Sequence, residues 1–150
     1  MVNKVFSLLI FLATLASATA YAIDDSYEDG KNYWSPRPYK TAKIVSLAIE
    51  NNGERSDIGY APNLDCSRFN LAERDIKEYF QRARVVSRGD FMHQFDWSPC
   101  YARGTIVFSN GDKGVWVIQG FRLGSLDLID GRKIYFNCVK CRAKAFTNNR

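Results

Sequence analysis

The sequence holds a single histidine, His93, in 150 residues, and that scarcity excludes more than any motif establishes. A serine or cysteine nucleophile normally needs an imidazole base, so every such reading must pass through His93. A zinc centre built on paired histidines is excluded, because there is no second imidazole. Long apolar runs are also missing. No segment after the first 22 residues reaches the ~20 residues of a membrane-spanning helix, which argues against an integral membrane protein. Serine has no glycine-framed elbow around it, Ser98 has no oxyanion motif beside it, and a second C-x-x-C is absent. No internal repeat or low-complexity tract occurs.

What is present begins at the N-terminus. Lys4, the apolar run from Val5 to Leu12, and small residues ending in Ala20-Tyr21-Ala22 have the layout of a secretory signal. Cleavage after Ala22, or at the alternative Ala18-Thr19-Ala20, would export the remainder, and no cysteine follows the cut to carry a lipid. The expected organisation is a signal peptide at 1–22, an extended arm at 23–40 and a single domain at 41–150. The expected location is periplasmic or secreted.

The chain carries a net charge of +5 at pH 7. Asp24, Asp25, Glu28 and Asp29 gather in the arm, so the body behind them is more basic than the whole. Such a field attracts anionic partners. For an exported chain these are expected to be another protein or an anionic envelope surface, and not nucleic acid. In the arm, Tyr27, Tyr33, Trp34 and Tyr39 are expected to pack on the domain or to meet a partner.

Cys66, Cys100, Cys138 and Cys141 make an even set in a chain bound for an oxidising compartment, and two disulfides are expected. Three pairings are open. A bond that ties the region of Cys66 to the later sheet is the favoured one.

Patterning supplies the fold. Ala42 to Ile49 reads as a buried strand, Asn51-Asn52-Gly53 as a turn, and residues 53–66 as a loop. Asn70 with Glu73 three residues on suggests a capping box. Ala72, Ile76, Tyr79, Phe80 and Ala83 then form one helical stripe, with Glu73–Lys77 and Glu78–Arg82 pairs on the opposite side. Gly89 is expected to close this region. Tyr101–Phe108 and Gly114–Phe121 flank Asn110-Gly111 as a two-residue hairpin, and Leu126–Ile129 and Lys133–Cys138 flank Asp130-Gly131. The strand from Gly114 is apolar on both sides and should be central or covered on both faces. The fold class is therefore α+β, one amphipathic helix packed on an antiparallel sheet in the order β-α-β-β-β-β. This order resembles the cystatin-like layout, which implies loops that bind or inhibit another protein.

The densest chemistry lies in Phe91 to Tyr101, which includes Asp96-Trp97-Ser98-Pro99-Cys100-Tyr101. Together with Lys113-Gly114-Val115-Trp116 and the C-x-x-C of Cys138 to Cys141, this stretch resembles a family of small exported proteins of Gram-negative bacteria. The resemblance carries no assigned activity, and so no catalytic residue. By analogy, it implies an immunity protein against a toxin.

Phe95, Asp96, Trp97 and Tyr101 are the candidate partner-binding residues, since aromatic anchors supply contact area at small entropy cost. The expected function is an exported binding protein of the immunity or inhibitor kind, without catalytic residue, metal or cofactor. The competing reading is an envelope enzyme. It would be a hydrolase using His93 and Asp96 with Cys100 or Ser98, or a thiol oxidoreductase using Cys138 and Cys141. Zinc could draw on Cys138, Cys141, His93 and either Cys66 or Cys100. Asp96 and Asp127 are candidates for paired carboxylates. Arg132, Lys133, Lys140, Arg142 and Lys144 form a basic cluster, read as a solvated face or as a receptor for an acidic partner.

Overall fold

Alternating apolar and polar residues in the second half of the chain give four strands joined by tight turns. The computed structural model describes residues 37–38, 42–57 and 64–146. The signal peptide, and the arm apart from Arg37–Pro38, lie outside the described residues. Strands β4 (Cys100–Phe108), β5 (Lys113–Gln119), β6 (Leu123–Leu128) and β7 (Lys133–Asn137) form an antiparallel meander. Strand β2 (Ile44–Arg55) pairs with β4 at one side. On the other side β3 (Arg84–Val86) pairs with β7, and the two-residue β1 (Arg37–Pro38) pairs with β3. The sheet order is β1-β3-β7-β6-β5-β4-β2, and helix α1 (Glu73–Arg82) lies on one face.

The α+β class and the β-α-β-β-β-β order are as patterning predicts, with β5 central. The two-residue β1, the strand β3 and a second helix are additions. Strand β3 is too brief to show alternation, and α2 (Arg88–His93) is less than two turns long. Gly89, expected to close the region, instead lies in the first turn of α2. Ser87 starts that helix, its Oγ accepting a hydrogen bond from the Asp90 amide at 2.9 Å.

Helix α1 buries Ile76, Tyr79 and Phe80, with Ala83 just beyond its end, as the stripe predicts, while Ala72 stays exposed. Glu73 pairs with Lys77, and Glu78 with Arg82 at 3.0 Å. The cap differs from the expected Asn70–Glu73 box. Ala72 is the N-cap and has no side-chain acceptor, so only the returning half of the motif is made: Asp75 Oδ2 accepts from the Ala72 amide at 2.9 Å. Asn70 is engaged elsewhere, by Asn52.

That engagement corrects the reading of Asn51-Asn52-Gly53 as a turn. Strand β2 runs straight through these residues, and the extra length appears as a register shift against β4 between Asn51 and Glu54. A bulge absorbs residues without reversing the chain. Gly53 has φ 70°, and a Cβ there would lie 2.8 Å from the Cys66 carbonyl oxygen. The bulge turns Asn52 onto the segment before α1. Its Oδ1 accepts from the Leu71 amide at 3.0 Å, and its Nδ2 donates to Leu71 O at 2.8 Å and to Asn70 Oδ1 at 2.9 Å. Leu71 is 1% exposed, so water cannot readily replace the two bonds to its backbone. Asn52→Ala is expected to cost about 2 kcal/mol by urea denaturation, whereas Asn51→Ala, which loses only an exposed contact to Glu54, should be near neutral.

The turns also differ in detail from the two-residue loops expected. Phe108 O accepts from the Gly111 amide, and the Phe108 amide donates to Asp112 O, which encloses three residues, Ser109 to Gly111. Leu128 makes the same pair of bonds with Gly131 and Arg132. Each loop ends in a glycine at positive φ, 89° and 91°, so one left-handed residue suffices where the expected turn needs two. Arg132 joins the two tips, at 2.8 Å from Asp112 and 2.7 Å from Asp130. Its hydrogen bonds hold the Asp130 carboxyl below the usual carboxylate range.

The β5–β6 turn places Arg122, a non-glycine, at φ 66°. Its carbonyl accepts from the Tyr79 hydroxyl at 3.1 Å and the Cys138 amide at 3.0 Å, and its Nε donates to Cys141 O at 3.1 Å. Burial pushes the Tyr79 pKa well up, so its hydroxyl remains a donor.

Between α1 and the sheet lie Trp116, Tyr79, Phe69, Phe80, Phe136 and Ile118, all 0 to 1% exposed. Cys66, in a 3-10 turn before α1, bonds Cys100 at the start of β4, a tie from the Cys66 region to the later sheet of the kind favoured from sequence, which left the partner open. Cys138 bonds Cys141 just past β7. Gly104 brings β2 and β4 close together: a Cβ there would lie 1.9 Å from Ala48 O and 2.8 Å from Trp116 Cζ2.

Candidate functional site

Among the described residues, the sheet face opposite α1 carries a second small core at one end. There Val86, Phe91 and Leu123 are buried together, with Phe95, Trp97 and Tyr135 packed on them. The start of α2 aims Phe91 at the sheet. The chain then returns so that Trp97 Nε1 donates to Phe91 O at 3.0 Å. The two rings meet edge to face at 5.0 Å, and Phe91 lies 4.7 Å from Tyr135. Trp97 is thus held by its ring and its one donor, while remaining half-buried.

Beside this plug lies a recess of about 200 Å³ lined by Ser56, Trp97, Ser98, Tyr101, Val117 and Gln119. Alternation in β4 and β5 brings Tyr101, Val117 and Gln119 to this face, and register sets Tyr101 opposite Gln119. The Ser56 amide donates to Pro99 O at 2.8 Å and closes one end. Gln119 Oε1 is buried with no hydrogen-bond partner, the one such side-chain atom among the described residues. An orphaned buried acceptor costs about 1–3 kcal/mol.

Of the predicted partner-binding residues, Trp97 and Tyr101 line the recess, Asp96 is exposed beside Trp97, and Phe95 packs into the small core. The candidate catalytic groups are not brought together. His93 is exposed at the end of α2, and no hydrogen bond links it to Asp96 among the described residues. Cys100 is bonded to Cys66 and has no thiol, which corrects its reading as a nucleophile. Ser98 is 3% exposed, and its Oγ accepts from the Cys100 amide at 3.2 Å.

Both cysteines of the C-x-x-C are bonded and at most 2% exposed, unlike an accessible thiol of low pKa at a helix N-terminus. The zinc set is likewise corrected, since all four sulfurs are taken and no metal-ligating cluster occurs among the described residues. Asp127 pairs with Lys133 at 3.1 Å. The basic cluster is divided: Arg132 serves the hairpin tips, Lys133 faces Asp127, and Lys140 and Arg142 are exposed by the second disulfide.

Sequence reasoning missed Ser56, Val117 and Gln119. The last two carried a signal, the period of two in Lys113–Gln119, which places a glutamine on the same side as two valines. Ser56 arrives through β2 pairing and had none. The chain matches no family model, no curated protein and no solved structure.

Proposed function

We propose that this protein works by binding another protein, through the sheet face around Trp97 and Tyr101, after export to the periplasm or beyond. The action is of the inhibitor or immunity kind. The observation that carries this is the recess: a fixed indole, a half-buried tyrosine and an orphaned acceptor on the face that α1 leaves uncovered. Trp and Tyr held in advance lose little entropy on binding, and such residues dominate protein interfaces. The two disulfides fit an oxidising compartment. No helix among the described residues is long and apolar enough to cross a membrane.

The test is Tyr101→Ala, because Trp97→Ala would also remove a prop of the small core. Immobilised wild-type protein should retain a partner from an envelope extract. Tyr101→Ala should weaken that partner's binding by about 2 kcal/mol, roughly thirtyfold, with an unchanged urea midpoint. Equal affinity of the variant for every retained protein would remove this surface from the interface.

A further inference from the structure

We propose that the recess receives the guanidinium group of an arginine presented by the bound partner. This rests on the protein-binding reading above and names the chemistry of its anchor.

The lining selects for a cation with several donors. Trp97 has already given its only N–H to Phe91, so its ring offers a π surface and no hydrogen bond. Tyr101 supplies a second aromatic wall and Val117 an apolar one. A guanidinium stacks on such rings while keeping five N–H donors in its plane. Gln119 Oε1 is an acceptor without a donor. It ends a torsion that is soft, so a turn of the amide brings the oxygen to an incoming N–H.

The rim agrees in sign. Glu54 is aligned with Tyr101, Asp57 follows Ser56, and Asp96 precedes Trp97; all three are exposed. Asp57 and Asp96 make no ion pair among the described residues. The cations aligned with the lining strands are paired or turned to the other face. Arg103, aligned with Val117, lies 3.8 Å from Glu50, and Arg55 is aligned with the core-facing Cys100. A chain of net charge +5 thus sets three exposed carboxylates beside this recess, against the one cation Arg103 aligned with its lining. A partner's carboxylate would be repelled. A neutral amide would leave the rim unused, and an alkylammonium, more strongly hydrated, lacks the planar fork.

The probe is methylguanidinium chloride, titrated at constant ionic strength into the purified protein with both disulfides intact. The Trp97 indole N–H and the Gln119 side-chain amide are followed by NMR. Saturable shifts are expected, with a dissociation constant of about 10 mM, in the range one side chain supplies. Butylammonium and acetamide should bind several times more weakly. Gln119→Leu should weaken methylguanidinium about tenfold, and Asp57→Asn with Asp96→Asn should flatten its salt dependence.

Absence of saturation, equal binding of acetamide or butylammonium, or no effect of Gln119→Leu overturns the proposal. If that happens while a partner is still captured in a Tyr101-dependent way, the guanidinium assignment alone fails. Saturable methylguanidinium binding with no such partner overturns the protein-binding reading instead.

Discussion

Gly104→Ala should destabilise the protein by about 3 kcal/mol or more, a size that single substitutions reach only through a specific steric or polar fault. The new methyl would be driven to 1.9 Å from Ala48 O and 2.8 Å from Trp116 Cζ2. The first neighbour is backbone in a hydrogen-bonded strand and the second is a ring buried to 0% exposure. Neither can move without opening the β2–β4 pair or the core. Gly111→Ala is the matched control. It meets nothing within 4 Å and has φ 89°, so it should lose only about 1 kcal/mol through its left-handed backbone. Urea denaturation checks both, and equal midpoints for the two variants would refute the close approach.

Removing the Cys66–Cys100 bond by double alanine substitution should cost about 4 kcal/mol, because it opens a loop with a sequence separation of 34. Removing Cys138–Cys141, with a separation of 3, should cost about 2 kcal/mol by the same loop-entropy argument. Exposure to glutathione and an alkylating agent under native conditions should leave all four cysteines unlabelled, since each is at most 5% exposed. Denaturation and reduction should label them all. Rapid native labelling of Cys138 and Cys141 would revive the thiol-exchange reading. Unchanged stability without the longer bond would show that it braces nothing.

Gly104 shows where sequence reading stops. Its neighbours Ile106 and Phe108 announce a strand, but the crowding comes from Ala48, 56 positions earlier, through sheet pairing. Local signals suffice wherever the controlling physics is local: the α1 stripe, the hairpin order and the glycines of the tight turns. They fail where one residue acts across the fold. Asn-Asn-Gly has turn composition, yet these residues form a bulge whose Asn52 secures Leu71. Asn70 has capping chemistry but spends its side chain on Asn52.

The site divides in the same way. Trp97 and Tyr101 stood out as large aromatics in a dense segment. The period of two puts Gln119 on that face, but that its buried acceptor has no partner leaves no mark in a sequence.

Strand β2 forms the outer margin of the described sheet, and it is twelve residues long with Val45 and Ile49 exposed. A straight ribbon of that length would template the addition of further chains and seed fibril growth. The three breaks in its register against β4 interrupt that margin, and such bulges are a common means by which an exposed edge is blunted. The irregularity that places Asn52 against Leu71 is thus also one of those that interrupt this edge.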